Sequence, residues 1–97
     1  MAKAAATDEF KSWLKGLRDI RAKAKVVSRI ERLENGNPGD VGPIGDHCSE
    51  LRIDYGPGYG VYYKQSGETI TVLFGGDKST QQSDIDKAKA LARTLEG

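Results

Sequence analysis

The sequence has little of what a metal centre or a disulfide-bonded scaffold needs. It contains one cysteine, Cys48, and one histidine, His47. A single cysteine cannot close an intramolecular disulfide, which excludes a disulfide-bonded secreted scaffold and indicates a reducing compartment. Neighbours on a strand point to opposite faces, so His47 and Cys48 are poorly placed as a nucleophile–base pair. No metal-ligand spacing occurs either, and we expect neither a metal nor another cofactor.

Long apolar runs are also missing. Nothing approaches the roughly 18 consecutive apolar residues of a membrane span. Small apolar residues and one lysine occupy the start of the chain, but Asp8 and Glu9 follow before an apolar run develops. This pattern does not fit a signal peptide. We therefore expect a cytoplasmic protein without membrane contact.

The chain has the size and charge of one small domain. Its 97 residues are 37% hydrophobic and 30% charged, and we expect residues 1–97 to form a single domain. The formal net charge is only +1. Residues 1–35 nevertheless hold nine Lys/Arg against five Asp/Glu, whereas residues 36–97 hold six against nine. The first third is therefore basic and the remainder mildly acidic.

The spacing of apolar residues changes near residue 50 from helical to alternating, which predicts an α+β fold. We expect an N-terminal helix hairpin, an antiparallel β-meander and a C-terminal helix, with the helices on one side of the sheet. The predicted helices cover about 8–15, 18–34 and 80–95, and the strands 50–55, 59–65 and 69–75. Residues 2–6 are a candidate edge strand, although their alanine-rich sequence has weak strand preference. Residues 35–40 are predicted to be a loop.

Two sets of cationic residues are candidates for binding. The second helix carries a cationic stripe, spaced by three or four residues and made of Arg18, Arg21, Lys25, Arg29 and Arg32. A solvated helix face is favoured over a polyanion contact for this stripe. The meander carries interleaved aromatic and basic residues: Arg52, Tyr55, Tyr59, Tyr62, Tyr63 and Lys64, with Lys78 after the last strand. Such a set suits single-stranded RNA, but ordinary sheet aromatics explain it equally well.

Several motifs taken together resemble one protein family. They are Gly36-Asn37-Pro38-Gly39-Asp40-Val41, Ser49-Glu50-Leu51-Arg52-Ile53-Asp54, Gly56-Pro57-Gly58-Tyr59, and Gly75-Gly76-Asp77-Lys78-Ser79 with Gln82 and Asp84-Ile85. In order and spacing, over roughly residues 8–95, they resemble the addiction-module killer (HigB-like) branch of the RelE/ParE toxin superfamily. The resemblance implies a small toxin held inactive by a cognate antitoxin, often a helix-turn-helix protein encoded by the adjacent gene.

The resemblance also implies chemistry. Many members of the superfamily cleave mRNA, often on the ribosome, without a metal: the 2′-hydroxyl attacks the adjacent phosphate while basic and aromatic residues stabilise charge and move protons. On this basis we predict Arg52, Lys78 and Tyr63 as catalytic residues. The predicted RNA-binding residues are Lys64, Tyr62, Tyr59, Arg29 and Lys25.

Gly60 departs from the pattern of the branch. An arginine usually follows Gly-Pro-Gly-Tyr, at a position where related ribonuclease toxins contact phosphate, and glycine offers no charge there. Losing such a donor can cost on the order of 100-fold in rate. We therefore expect an attenuated toxin, in which Gly60→Arg restores activity without harming folding. A ParE-like DNA gyrase poison and a detoxified, antitoxin-binding autoregulator are the alternatives.

Overall fold

The computed structural model describes residues 2–96, and it is an α+β structure with a five-stranded mixed sheet. The strands are β1 (Lys3–Ala6), β2 (Val41–Gly45), β3 (Cys48–Ile53), β4 (Tyr59–Ser66) and β5 (Thr69–Asp77). The helices are α1 (Asp8–Gly16), α2 (Ile20–Glu34) and α3 (Gln81–Glu96), and a short 3₁₀ turn, Lys78–Thr80, precedes α3. Within the described residues, no helix is long and apolar enough to cross a membrane.

The sheet has the strand order β1-β5-β4-β3-β2. The predicted antiparallel meander is confirmed as β3, β4 and β5. β1 confirms the weakly supported edge strand and pairs in parallel with β5, so the complete sheet is mixed. The prediction missed β2, which pairs with β3 through the two-residue turn at Asp46 and His47.

The first two helices begin and end at recognisable signals. Thr7 caps α1 as predicted, because its hydroxyl oxygen accepts a hydrogen bond from the Phe10 amide at 3.0 Å. Asp19 caps α2, and Gly36 follows that helix with a φ of 82°. α1 makes its main contacts with β5, and α2 contacts β1 and β3. The sheet is thus the main surface on which each of these helices packs.

The prediction that all helices lie on one side of the sheet is wrong. α1 and α2 share one apolar cluster with the inward side chains of the meander: Leu51, Ile53, Tyr59, Val61, Tyr63, Ile70 and Val72. α3 covers the opposite face, where Ala88 and Ala92 pack against Cys48, Tyr62 and Leu73. Both faces of the central strands are therefore buried, which explains why β4 shows almost no alternation of apolar and polar residues.

A β-bulge in β5 sets the direction of its last residues. Tyr63 pairs with Val72 and Tyr62 pairs with Phe74, which leaves Leu73 as the extra residue. After the bulge Gly75 faces Trp13 of α1, and Gly76 faces Asp84 of α3. The bulge thereby brings a glycine against each helix.

Candidate functional site

Two facing glycines make room for polar side chains on the α3 face of the sheet. Gly60 of β4 pairs with Gly76 of β5. A Cβ atom at Gly76 would overlap the carboxylate of Asp84, and one at Gly60 would lie 2.6 Å from Glu50 Oε2 and 2.8 Å from the Tyr62 hydroxyl oxygen. Glycine at these positions therefore allows buried polar groups to lie directly on the backbone.

A cavity of about 420 Å³ opens beside this glycine pair. Its lining consists of Asp40, Glu50, Arg52, Ile53, Asp54, Tyr59, Gly60, Tyr62, Asp77, Lys78 and Gln81. Strand alternation explains part of the set, because Glu50 and Arg52 are two residues apart and pair with Tyr62 and Gly60 across β3 and β4. The structure thus brings Arg52, Lys78 and Gly60 to one cavity.

Arg52 enters the cavity already paired with carboxylates. Its guanidinium lies 3.3 Å from Asp40 Oδ1 and 3.5 Å from Glu50 Oε1. The side chain is 49% exposed, and it packs over Gly42 of β2, where a Cβ atom would collide with it. Asp40 and Glu50 therefore neutralise much of the positive charge with which Arg52 would attract a phosphate.

Glu50 is the most buried charged side chain of the cavity. The residue is 5% exposed, and its Oε2 accepts a hydrogen bond from Gln81 Nε2 at 2.9 Å. Gln81 is the first residue of α3, so this bond joins the start of the helix to β3. An ionised group so deeply buried needs partners, and Arg52 and Gln81 supply them.

Tyr62 lines the same cavity with an unsatisfied hydroxyl. The residue is fully buried, and among the described residues its hydroxyl oxygen has no hydrogen-bond partner of acceptable geometry. Burial raises the pKa of the Tyr62 hydroxyl, and the nearby Glu50 and Asp84 carboxylates raise that pKa further. Tyr62 is therefore a neutral phenol at neutral pH, and its hydroxyl lies beside the Glu50 carboxylate, its nearest acceptor.

Lys78 is held at the rim by the turn that follows β5. The Lys78 amide donates to the Gly58 carbonyl at 3.1 Å, and its methylene groups pack against Gly58. Asp77 caps the turn by accepting a bond from the Ser79 amide at 2.8 Å. Hydrogen bonds from the Ser79 side chain and amide lower the pKa of Asp77, which keeps a negative charge beside Lys78.

The cavity lining carries an excess of negative charge. Four carboxylates, those of Asp40, Glu50, Asp54 and Asp77, face two cations, Arg52 and Lys78. A phosphodiester therefore meets more repulsive than attractive groups here. Glu50 and Gln81 were not predicted as site residues, although the two-residue spacing of Glu50 and Arg52 was a readable signal for the carboxylate.

Three of the predicted site residues either lie outside this cavity or line it only with a buried, packed side chain. Tyr63 is 6% exposed and lies in the core on the opposite face of the sheet, so it cannot act beside Arg52 and Lys78. Tyr59 contributes to the cavity lining, but it is 9% exposed and its ring packs edge-on against Trp13 at 6.2 Å. Lys64 pairs opposite Cys48, four residues along β4 from Gly60, and does not line the cavity.

The two predicted RNA-binding residues of α2 have structural contacts instead of a place at the cavity. Arg29 donates to the carbonyls of Arg52 at 2.6 Å, Pro38 at 2.9 Å and Asp40 at 3.0 Å. Lys25 places its ammonium 5.3 Å from the centre of the Tyr55 ring. Arg29 thus holds the loop before β2 in place, and the predicted cationic stripe is divided between a structural anchor and an exposed part.

The expectation that Gly60→Arg is free of structural cost is wrong. The Cβ atom alone requires Glu50 and Tyr62 to move, and Tyr62 is rigid and buried. An introduced guanidinium would lie near the Glu50 carboxylate as an ion-pair partner, in addition to Arg52 and Gln81, which already contact it. Crowding and charge therefore oppose each other at this position.

Comparison with known proteins shows a relative with high sequence identity. An uncharacterized protein of Haemophilus influenzae is 54% identical to this chain over 87 residues, an alignment that covers 89% of this chain and 88% of the relative. The chain belongs to the same family as that protein. No protein-family model matches the sequence. No solved structure matches the chain. Within the described residues there is no cluster of three or more His, Cys, Asp or Glu that could hold a metal.

Proposed function

We propose that this chain is a toxin domain of the RelE/ParE type, with mRNA as its substrate and with weakened cleavage activity. The observation that carries the proposal is the meeting of Arg52, Lys78 and Gly60 at one cavity. Arg52 and Lys78 are the basic positions that the resemblance to HigB-like toxins identifies, and Gly60 is the main departure from the pattern of those toxins. The partner in this proposal is a cognate antitoxin, a helix-turn-helix protein from the adjacent gene.

The cavity supplies groups for a metal-independent cleavage. The RNA 2′-oxygen would attack phosphorus, the bond from phosphorus to the 5′-oxygen would break, and a 2′,3′-cyclic phosphate would remain. Glu50 would accept the proton of the 2′-hydroxyl, and Lys78 would donate one to the departing 5′-oxygen. Arg52 would stabilise the charge that develops on the phosphoryl oxygens.

The same cavity explains why the activity would be weak. Arg52 is engaged with Asp40 and Glu50, and no cation stands at residue 60. A binding-only role, in which the chain is a detoxified partner of its antitoxin, is the second candidate, and the pairing of Arg52 favours it. Nothing in the geometry favours a gyrase poison.

The first prediction tests charge against crowding at residue 60. The present chain, Gly60→Arg and Gly60→Ala are each expressed from a tightly controlled promoter, with and without the product of the adjacent gene. We expect growth arrest with mRNA cleavage for Gly60→Arg, about 100-fold more than for the present chain, because a charge-stabilising donor is added. Gly60→Ala adds the crowding of the Cβ atom without a charge and should leave cells growing.

Further variants separate the candidate functions. Arg52→Ala in the Gly60→Arg background should abolish cleavage, while circular dichroism checks that both variants fold. Equal arrest by the present chain and by Gly60→Arg would contradict attenuation. DNA breaks with intact mRNA would identify a gyrase poison instead. A folded Gly60→Arg variant that binds the adjacent gene product without any cleavage would establish the binding-only role.

A further inference from the structure

The outer face of α2 exposes apolar side chains that the core does not use. Ile20 is 81% exposed and Val27 is 41% exposed, and the exposed Ala24 lies between them. Their spacing of four and three residues puts all three on one face of the helix. The buried contacts of α2 lie on a different face, which carries Ala22 and Val26. Single exposed apolar residues are ordinary, but a row along one helix face is a candidate contact surface.

Cationic residues run beside this apolar row. Arg21, Lys25 and Arg32 are exposed, and their spacing of four and seven residues places them on one neighbouring face of α2. Among the described residues, no carboxylate forms an ion pair with any of these three side chains. Between residues 20 and 32 the helix carries a single acidic residue, Glu31. An acidic partner would therefore meet cations that have no ion pair to give up.

We propose that α2 docks a helix of a partner protein, in which a row of apolar residues is flanked by Asp or Glu. The docking face consists of Ile20, Ala24, Val27, Arg21, Lys25 and Arg32. The small side chain of Ala24 leaves a depression between two larger ones, and a side chain of the partner helix fits there as a ridge fits a groove. The proposal is independent of RNA cleavage, since it needs only the folded chain.

The docking face suits a partner helix better than RNA, a membrane or a second copy of the chain. α2 contains no aromatic residue on which a base could stack, and phosphates would leave Ile20 and Val27 in contact with water. Helices that lie on membranes bury a broad apolar face, whereas the side of α2 with Val26 and Leu33 is already buried in the core. Pairing of two such faces would bring like charges together.

The second prediction is tested on the purified full chain with a capped helical peptide of about 20 residues, in which Leu recurs every three or four residues and Glu flanks it. We expect saturable ¹⁵N NMR shifts at Ala24, Val27 and Ser28. The peptide with Lys in place of Glu should bind at least about tenfold more weakly, because like charges meet. The peptide with Ser in place of Leu should lose at least about as much. Equal binding of either control peptide, or no shifts on α2, would overturn the proposal.

Variants of the chain test the apolar row. Ile20→Ser combined with Val27→Ser should weaken binding of the Glu peptide about tenfold or more, because both side chains contact the docked helix. Leu95→Ser is the matched control: Leu95 is 57% exposed but lies on α3, so its replacement should leave binding unchanged. All three positions are exposed, and circular dichroism checks that the variants fold. Equal weakening by the two variants, or no weakening by the first, would reject the docking face.

A second set of variants tests the cations and separates a partner helix from RNA. Arg21→Gln combined with Arg32→Gln should weaken binding of the Glu peptide about fivefold, since two exposed ion pairs are lost. Lys11→Gln, at an exposed position of α1, should leave binding unchanged. Oligouridine is titrated in the same way. Shifts on α2 with tighter binding of oligouridine than of the Glu peptide, and without loss in the Ile20→Ser/Val27→Ser variant, would identify a phosphate-binding face and overturn the proposal.

Discussion

Gly76 lies directly beneath the carboxylate of Asp84, and Gly60 lies beneath Glu50 and Tyr62. Asp84 is 9% exposed and accepts a hydrogen bond from the Thr80 hydroxyl at 2.6 Å, so it has little freedom to retreat. At both positions the absence of a side chain on glycine leaves the space that a buried polar group occupies in the folded chain. Gly60 therefore has a structural role, which is separate from the absence of a positive charge at this position.

The third prediction concerns Gly76→Ala. Its Cβ atom would overlap Asp84, so we expect a loss of about 1–3 kcal/mol in the free energy of unfolding from overpacking. Urea denaturation followed by circular dichroism measures this loss. The double variant Gly76→Ala/Asp84→Ala should lose less than the sum of its single variants, because removing the carboxylate relieves the overlap.

Gly16→Ala is the matched control for that prediction. Gly16 ends α1, and no atom lies within 4 Å of its Cβ position. Alanine has the better helix propensity, so this variant should be neutral or more stable by up to about 1 kcal/mol. Equal destabilisation by Gly16→Ala and Gly76→Ala would show that the overlap with Asp84 is not the cause.

At the scale of elements, local pattern predicted the helices and the meander but not β2. Residues 41–45 contain two glycines and Pro43, which is tolerated here because β2 is an edge strand. The turn to β3 places Asp46 and His47 at φ values of 54° and 62°. Hairpin turns of this kind are usually marked by Asn-Gly or Asp-Gly, and Asp-His gives no comparable signal. The strand was therefore hidden by an unusual turn.

The location of the site residues required tertiary information. Alternation correctly put Tyr59 and Tyr63 on one face and Tyr62 on the other, but it could not show that both faces are covered. α3 closes the second face through Ala88 and Ala92, small residues that give a weak apolar signal. Arg52 and Lys78 meet because β3 and the turn after β5 flank β4, a consequence of the sheet order.

The fourth prediction concerns Arg29 as an anchor of the loop before β2. Its guanidinium binds three carbonyls, and two of them belong to Pro38 and Asp40. Arg29→Lys lacks the planar fork and should lose about 1–3 kcal/mol of stability. Amide exchange at Arg52 should accelerate, because the Arg52 amide donates to the Asp40 carbonyl in the same loop.

Arg32→Lys provides the comparison within the same helix. Arg32 belongs to the predicted cationic stripe and is exposed. We expect its replacement to change stability by less than about 0.5 kcal/mol. A similar loss for both variants would mean that general charge on α2, and not the three carbonyl contacts of Arg29, stabilises the loop.

At the scale of the whole molecule, the sheet separates two apolar clusters of unequal depth. The cluster under α1 and α2 contains large side chains from three strands, including Leu51, Ile70 and Val72. The cluster under α3 depends on Ala88 and Ala92 against Cys48, Tyr62 and Leu73. Hydrophobic stabilisation scales with buried apolar area. We therefore expect α3 to be bound to the sheet less tightly than α1 and α2 are bound to the opposite face. The candidate site lies at the start of this helix.

The fifth prediction uses the Cys48 thiol to detect release of α3. Cys48 is 2% exposed, and burial raises the pKa of its thiol, so alkylation of the native chain at pH 8 should be slow. Local release of α3 would expose the thiol, and the labelling rate would then depend less steeply on urea than global unfolding, which is measured by circular dichroism.

Leu91→Ala, on α3, should accelerate labelling in the absence of urea about tenfold, because it removes apolar contact from this cluster. Leu14→Ala, on α1, should lower global stability without this acceleration, because Leu14 packs in the other cluster. Labelling that follows the global urea dependence in every variant would show that α3 and the sheet unfold as one unit.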